Sequence, residues 1–269
     1  MNLRRLLIGF TLAAGVIIAI GHVRGANDPA ANSSADEPQA AVPAKRAMTP
    51  GITRGGKRPA ASDTLLLSYP DDPDTVNPLT ANDTVSEAFQ RLVYEQLAER
   101  KFSNPDEWEP ALAESWEFDS KNLEYTIHLR KGVKWHPITL PSGKQLPATE
   151  FTARDVKFTF DCILNKNIEA AALRSYYEDP AAKQESERQR IKVSLVRGDK
   201  YSVKVKWTKP YFDADDWTLG VAIIPRHVFS VDEKGDPISF DFSSKEFADG
   251  FNNHWANRSM CGTGPMIFK

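Results

Sequence analysis

The alternation of apolar and polar positions divides the chain into recognisable elements. The run DTLLLSY at residues 63–69 suits a short buried strand, and the turn-rich PDDPDTVNPLTAND follows it. From Thr84 the period lengthens: Val85, Phe89, Leu92, Val93 and Leu97 recur at three- and four-residue spacing. With Thr84 and Glu87 as a capping box, this predicts an amphipathic helix from Thr84 to about Arg100. KFSNPDEWEP reads as a loop. Trp116 and Phe118 then share one face of a strand, DSKN supplies a turn, and Leu123, Tyr125, Ile127 and Leu129 alternate with Glu124, Thr126, His128 and Arg130. That pattern predicts an antiparallel hairpin with one wet face. Thr152 and Asp155 open a second helix whose buried stripe is Val156, Phe160, Ile163 and Leu164. After the polar stretch EDPAAKQESERQRIKV, a second hairpin is predicted from IKVSLV, the turn RGDK and YSVKVKW, with Tyr201, Val203, Val205 and Trp207 on one face. CGTGPMIFK is a glycine-proline turn leading into a strand. Hairpins interleaved with helices, without an internal repeat, indicate a mixed α/β architecture.

The N-terminus has a different pattern. Arg4 and Arg5 precede the apolar run from Leu6 to Ile20, and Val23 and Gly25 are small enough for a signal-peptidase site. As a helix those residues rise only about 22 Å, short of the ~30 Å hydrocarbon core, so residues 1–25 read as a cleaved export signal. An uncleaved anchor is the alternative. Residues 26–62 are rich in Ala, Pro, Gly and Ser and nearly free of large apolar groups, the composition of a flexible tether.

At 269 residues, with 41% hydrophobic and 26% charged, the chain is long enough for one large or two modest globular domains. Its net charge of −2, without a basic stripe, argues against nucleic acid as a partner. Loss of the signal would remove three arginines and no acid, taking the charge from −2 to −5. Cys162 and Cys261, ninety-nine positions apart, allow one bridge but equally suit two buried small apolar side chains.

Candidate chemistry is sparse. The histidines at positions 22, 128, 136, 227 and 254 have no metal-ligand spacing, and no nucleophile elbow, phosphate loop or dinucleotide fingerprint is present. The acidic clusters PDDPD and DADDW lie beside aromatics, which raises a secreted hydrolase working through Asp71 or Asp215 as an alternative. Turn formation is the simpler account of both clusters.

Taken together, NPLT, RLVYEQLAE, PALAESWEFDSKNLEYTIHLRKGVKWH, FTARDVKFTF, YSVKVKWTKPYF, IIPRHVF and GTGPMIFK resemble the family 5 extracellular solute-binding proteins of ABC transporters, over much of Asp63 to Lys269. The resemblance implies a periplasmic binding protein type II-like α/β fold with mixed sheets. Lobe I would be discontinuous, made of residues 63–100 and 206–269, with lobe II inserted as residues 101–205. A third lobe, which in the family follows the GTGP-type strand, would be missing, the chain being a fragment or a truncated gene product. Two departures stand out: the long loop WHPITLPSGKQLPATEFTARDV, and Gln96 where the family usually has glycine.

The resemblance also implies the function: an exported protein, periplasmic or otherwise extracytoplasmic, that captures a peptide or peptide-like solute and delivers it to a membrane permease. It would work as a monomer, without catalysis, cofactor or metal. A membrane-anchored sensor or interaction lobe is a further alternative. By the same matching, Ala81, Asn82, Asp83 and Thr84 would contact the ligand, Thr263 and Gly264 would face the cleft near the hinge, and Tyr176 and Tyr177 would contribute its aromatic rim. A turn beside a helix start does offer free backbone donors and acceptors, although Asn82 and Asp83 would equally serve as helix caps.

Overall fold

The structure, a computed structural model, describes residues 10–12, 17–18, 69, 71–73, 75–238 and 241–269. The tether, most of the export signal and the DTLLLSY strand except Tyr69 lie outside the described residues. From the N-terminal apolar run come two short strands, β1 (Phe10–Leu12) and β2 (Ile17–Ile18). Helix α1 (Thr84–Val93) is followed by the hairpin β3 (Ala98–Lys101) and β4 (Asn104–Pro110), then by β5 (Ala113–Asp119) and β6 (Glu124–Leu129). A miniature hairpin, β7 (Ile138–Thr139) and β8 (Gln145–Leu146), precedes α2 (Ala153–Leu164), and the short helices α3 (Ala171–Arg174) and α4 (Glu185–Arg188) come next. Strands β9 (Ile191–Leu195) and β10 (Ser202–Trp207), helices α5 (Ala214–Leu219) and α6 (Lys245–Asn252), and β11 (Met266–Phe268) complete the described strands and α-helices, with single 3-10 turns at Ser175–Tyr177 and Trp255–Arg258.

Both predicted hairpins form, and they join into one antiparallel sheet of order β5-β6-β10-β9. In the central pair Ile127 lies opposite Val203 and Tyr125 opposite Val205, so the two apolar faces coincide. Along β6, Tyr125, Ile127 and Leu129 are buried while the residues between them are half-exposed, as the alternation requires. Asp119 makes the tight turn by accepting from the Lys121 and Asn122 amides, and Leu123 leaves it at a φ of 54°. Helix α2 has the expected capping box: Thr152 accepts from the Arg154 amide, and Asp155 accepts from the Thr152 amide at 2.9 Å. Its C-terminal carbonyls are satisfied by Arg174, whose Nη1 donates to Ile163, Asn165 and Ile168 oxygens.

Three expectations require correction. Helix α1 starts one residue earlier in its capping, with Asp83 rather than Thr84 as N-cap, because the Asp83 carboxylate reaches the Ser86 amide at 2.8 Å. The helix also stops at Val93 instead of continuing to about Arg100. There the Gly264 amide bonds to the Val93 carbonyl, and the chain turns extended at Tyr94. The stretch KFSNPDEWEP, expected as a loop, supplies most of the β3-β4 hairpin; its side chains are nearly all exposed, so no alternation marked it.

One cluster of buried apolar side chains runs from Val76 to Met266, and it includes Trp135, Phe160, Tyr177, Trp207 and Phe229. Cys162 and Cys261 are both buried as free thiols. Among the described residues no helix is long and apolar enough to cross a membrane.

Candidate functional site

The segment before α1 is shaped by Asn77. It is fully buried, donates to Asn257 Oδ1 at 2.8 Å, and accepts the Leu79 amide on its own side-chain oxygen. Its main-chain carbonyl receives the amides of Thr80 and Ala81, closing a turn that delivers Ala81, Asn82, Asp83 and Thr84 to the surface. Asn82 and Thr84 are exposed, whereas the Asp83 carboxylate is occupied by the Ser86 amide and hydroxyl.

Facing this turn is a short helical stretch in which two neighbouring tyrosines diverge. Tyr176 turns outward and stacks on Trp217, ring centroids 3.6 Å apart and planes 15° from parallel, and remains 40% exposed. Tyr177 turns inward between Phe160 and Trp207, and its hydroxyl donates to the Trp217 carbonyl at 2.7 Å. Burial holds its phenol well above the usual tyrosine range.

Between the turn and the tyrosine lies a cleft of two adjoining chambers that share lining residues. The smaller, about 440 Å³, is lined by Ala81, Asn82, Asp83, Thr84 and Tyr176, among others. The larger, about 630 Å³, is bordered by Glu99, Arg100, Trp108, Asp213 and Asp216. Arg91, Tyr94, Gln96, Trp217 and Gly220 line both. The charges at the rim are largely satisfied from within: Arg91 pairs with Glu87 at 2.6 Å, and Arg100 pairs with Asp216 at 2.7 Å while covering the Trp108 ring at 4.0 Å. Gly220 is needed where it stands, because a Cβ there would meet the Asp216 carbonyl at 2.8 Å.

Of the residues expected at the site, five share this cleft: Ala81, Asn82, Asp83, Thr84 and Tyr176. Tyr177 belongs to the core. Thr263 and Gly264 sit against the end of α1. A Cβ on Gly264 would lie 2.8 Å from the Val93 carbonyl and one on Gly262 only 1.8 Å, so the close approach these glycines permit is to the helix backbone. Sequence reasoning missed Gln90, Leu173, Trp217 and Val221. Only Trp217 carried a signal, as the aromatic residue closing DADDW.

Several of the groups weighed for catalysis are otherwise engaged. Asp215 accepts from the Tyr125 hydroxyl and Asp216 is the ion-pair partner of Arg100. Cys261 donates to the His136 carbonyl, and burial pushes its thiol up to about 12. His128 bonds Ser202, and His254 caps a short helical turn through its ring nitrogen. His227 lies beside Trp135 with neither ring nitrogen partnered among the described residues, and burial takes its pKa down to about 4. No cluster of metal-ligating side chains occurs among the described residues.

Comparison with known proteins bears on the family and the fold. The profile of the bacterial extracellular solute-binding proteins, family 5 (middle) matches residues 107–269. The chain is 39% identical over 100 residues to a dipeptide-binding protein of Escherichia coli (strain K12), covering 36% of this chain and 18% of that protein. It is 45% identical over 80 residues to heme-binding protein A of Haemophilus influenzae, covering 30% and 14%. The chain therefore spans under a fifth of the length of either relative in the matched part. In three dimensions it is similar to the oligopeptide-binding protein AppA of Bacillus subtilis solved with a nonapeptide, with a TM-score of 0.50, 23% identity, and coverage of 72% of this chain and 31% of that one. That likeness bears on the fold, a periplasmic binding protein type II-like arrangement of mixed sheets and helices. With its profile matched over more than half its length, this chain belongs to the family 5 bacterial extracellular solute-binding proteins, a family of binders rather than enzymes.

Proposed function

We propose that the protein captures a peptide or peptide-like solute outside the cytoplasm and hands it to the permease of an ABC transporter, acting as a monomer and making or breaking no bond. The observation that carries this reading is the gathering of the Ala81–Thr84 turn and Tyr176 around one cleft in a member of a solute-binding family. An exposed turn next to a helix start suits an extended peptide, whose backbone amides and carbonyls need partners that do not depend on side-chain identity. The names of the relatives support the solute class, since dipeptide and oligopeptide binders recur among them. In this reading residues 1–25 direct export and residues 26–62 form a tether. Residues 63–100 and 206–269 form one lobe, and residues 101–205 form a second inserted into it. The four-stranded sheet, residues 113–207, lies in the inserted segment apart from its last two residues, which supports that division to within a few positions, although the β3-β4 hairpin crosses its first boundary.

Calorimetric titration of the purified full-length protein with di-, tri- and tetrapeptides is the direct test. Saturable binding with every peptide recovered intact by mass spectrometry is the expected result. Peptide cleavage, or no heat with any peptide, would overturn the proposal. N-terminal sequencing of the exported form, with its first residue expected near Ala26, checks the leader.

A further inference from the structure

The two chambers of the cleft differ in chemistry. The smaller is walled mainly by carbon: Pro78, Leu173, Val221, Ala222 and the paired rings of Tyr176 and Trp217. The carboxylates at its edge are already committed, that of Asp83 to the start of α1 and that of Glu87 to Arg91. The larger chamber is bordered by charge, with Arg100, Glu99, Asp213 and Asp216 around it and Arg91 at the junction. Gln96 stands at that junction, lining both sides. Close by, Gln90 is only 6% exposed, lines the smaller chamber, and has an Nε2 without a hydrogen-bond partner among the described residues. A buried amide donor left in that state has lost its water without gaining a partner, a cost relieved when an acceptor enters.

We infer that the cleft selects its ligand through one uncharged aromatic or branched apolar side chain seated on the Tyr176–Trp217 pair, with an amide carbonyl of the same ligand taken by Gln90 and its charged end lying past Gln96 in the larger, charge-bordered chamber. This rests on the peptide-binding reading and adds to it the side-chain class that is read. The argument is one of matching environments. The stacked pair is fixed by contacts on one side, Trp217 meeting Tyr177 edge-on at 6.3 Å, while Tyr176 leaves much of its ring in the open. An apolar side chain laid there removes two hydrophobic surfaces from water and orders no flexible group of the protein. A lysyl or glutamyl side chain in the same place would shed its water among carbon atoms, beside charges that already hold partners. The adjacent charged chamber offers the opposite environment, so a ligand with one apolar and one ionic portion has a single orientation that satisfies both.

The test is titration of the full-length protein with alanine tripeptides whose middle residue is phenylalanine, leucine, lysine or glutamate. The phenylalanine and leucine peptides are expected to bind roughly tenfold or more tighter than the lysine and glutamate peptides. In Tyr176→Ala that ratio falls to within about threefold, and in Tyr176→Phe, which keeps the ring, it is retained. Leu173→Glu, which puts a carboxylate on the apolar wall, moves the preference toward the lysine peptide. Circular dichroism melts confirm that each variant is folded. Equal affinity for all four peptides, or a ratio untouched in Tyr176→Ala, overturns this inference and leaves peptide binding standing. Failure of every peptide to bind the unaltered protein overturns both.

Discussion

His227 is largely withdrawn from water, with neither ring nitrogen partnered among the described residues. Burial lowers its pKa from 6.5 to about 4, so the neutral ring is the form that fits the folded chain. Since the unfolded chain takes up the proton near 6.5, stability is fully present above that pH and is lost progressively as pH falls toward 4. The loss attributable to this one ring is about 3 kcal/mol by pH 4, at 1.36 kcal/mol per unit. Urea denaturation from pH 7 down to pH 4 measures it: His227→Leu should lose its stability disadvantage, or gain an advantage, as pH drops, and a parallel decline of both proteins would refute the assignment. At this scale the sequence was only half legible. Tyr176 and Tyr177 are adjacent and identical in chemistry, and the tight turn that sends one outward and the other inward depends on Trp217 and Phe160, which are distant in sequence. The buried position of His227 was equally hidden, because a single histidine between arginine and valine carries no period.

Helix α1 contributes both a cap and a wall of the cleft, and a substitution can separate the two. Asp83→Ala removes the acceptor for the Ser86 amide and should cost about 1 kcal/mol, read as a shift in urea midpoint. Asp83→Ser keeps a capping oxygen and should recover most of that loss. If Asp83→Ser also binds peptide as the unaltered protein does, the carboxylate serves the helix alone; a fall in affinity at full stability assigns it to the ligand as well. The existence of α1, of α2 and of both large hairpins was legible because each has a strong period and a recognisable start. Where α1 ends was not, since Leu97 prolongs the helical spacing although a contact from residues 262–264 stops the helix at Val93. Nor was the β3-β4 hairpin, whose residues face water on both sides; Phe102 at its tip is wholly exposed.

Across the whole molecule, burial of both thiols is the feature most easily checked. Cys162 and Cys261 should react with a small thiol reagent at least roughly a hundredfold more slowly in the folded protein than in denaturant, where two labels per chain are expected by mass spectrometry without prior reduction. Recovery of an unlabelled, bridged chain would contradict the structure. At this scale the mixed α/β class was evident from the elements, but the order β5-β6-β10-β9 was not, because pairing the two hairpins through β6 and β10 is decided by which faces meet across more than seventy residues. The same long reach governs the glycines of residues 262 and 264. They bring the chain just before the Met266–Phe268 strand against the last carbonyl of α1, whose opposite end begins at the Ala81–Thr84 turn. The helix end and the chain leading into the strand therefore share one backbone contact, and a side chain at either glycine would have to push the two apart.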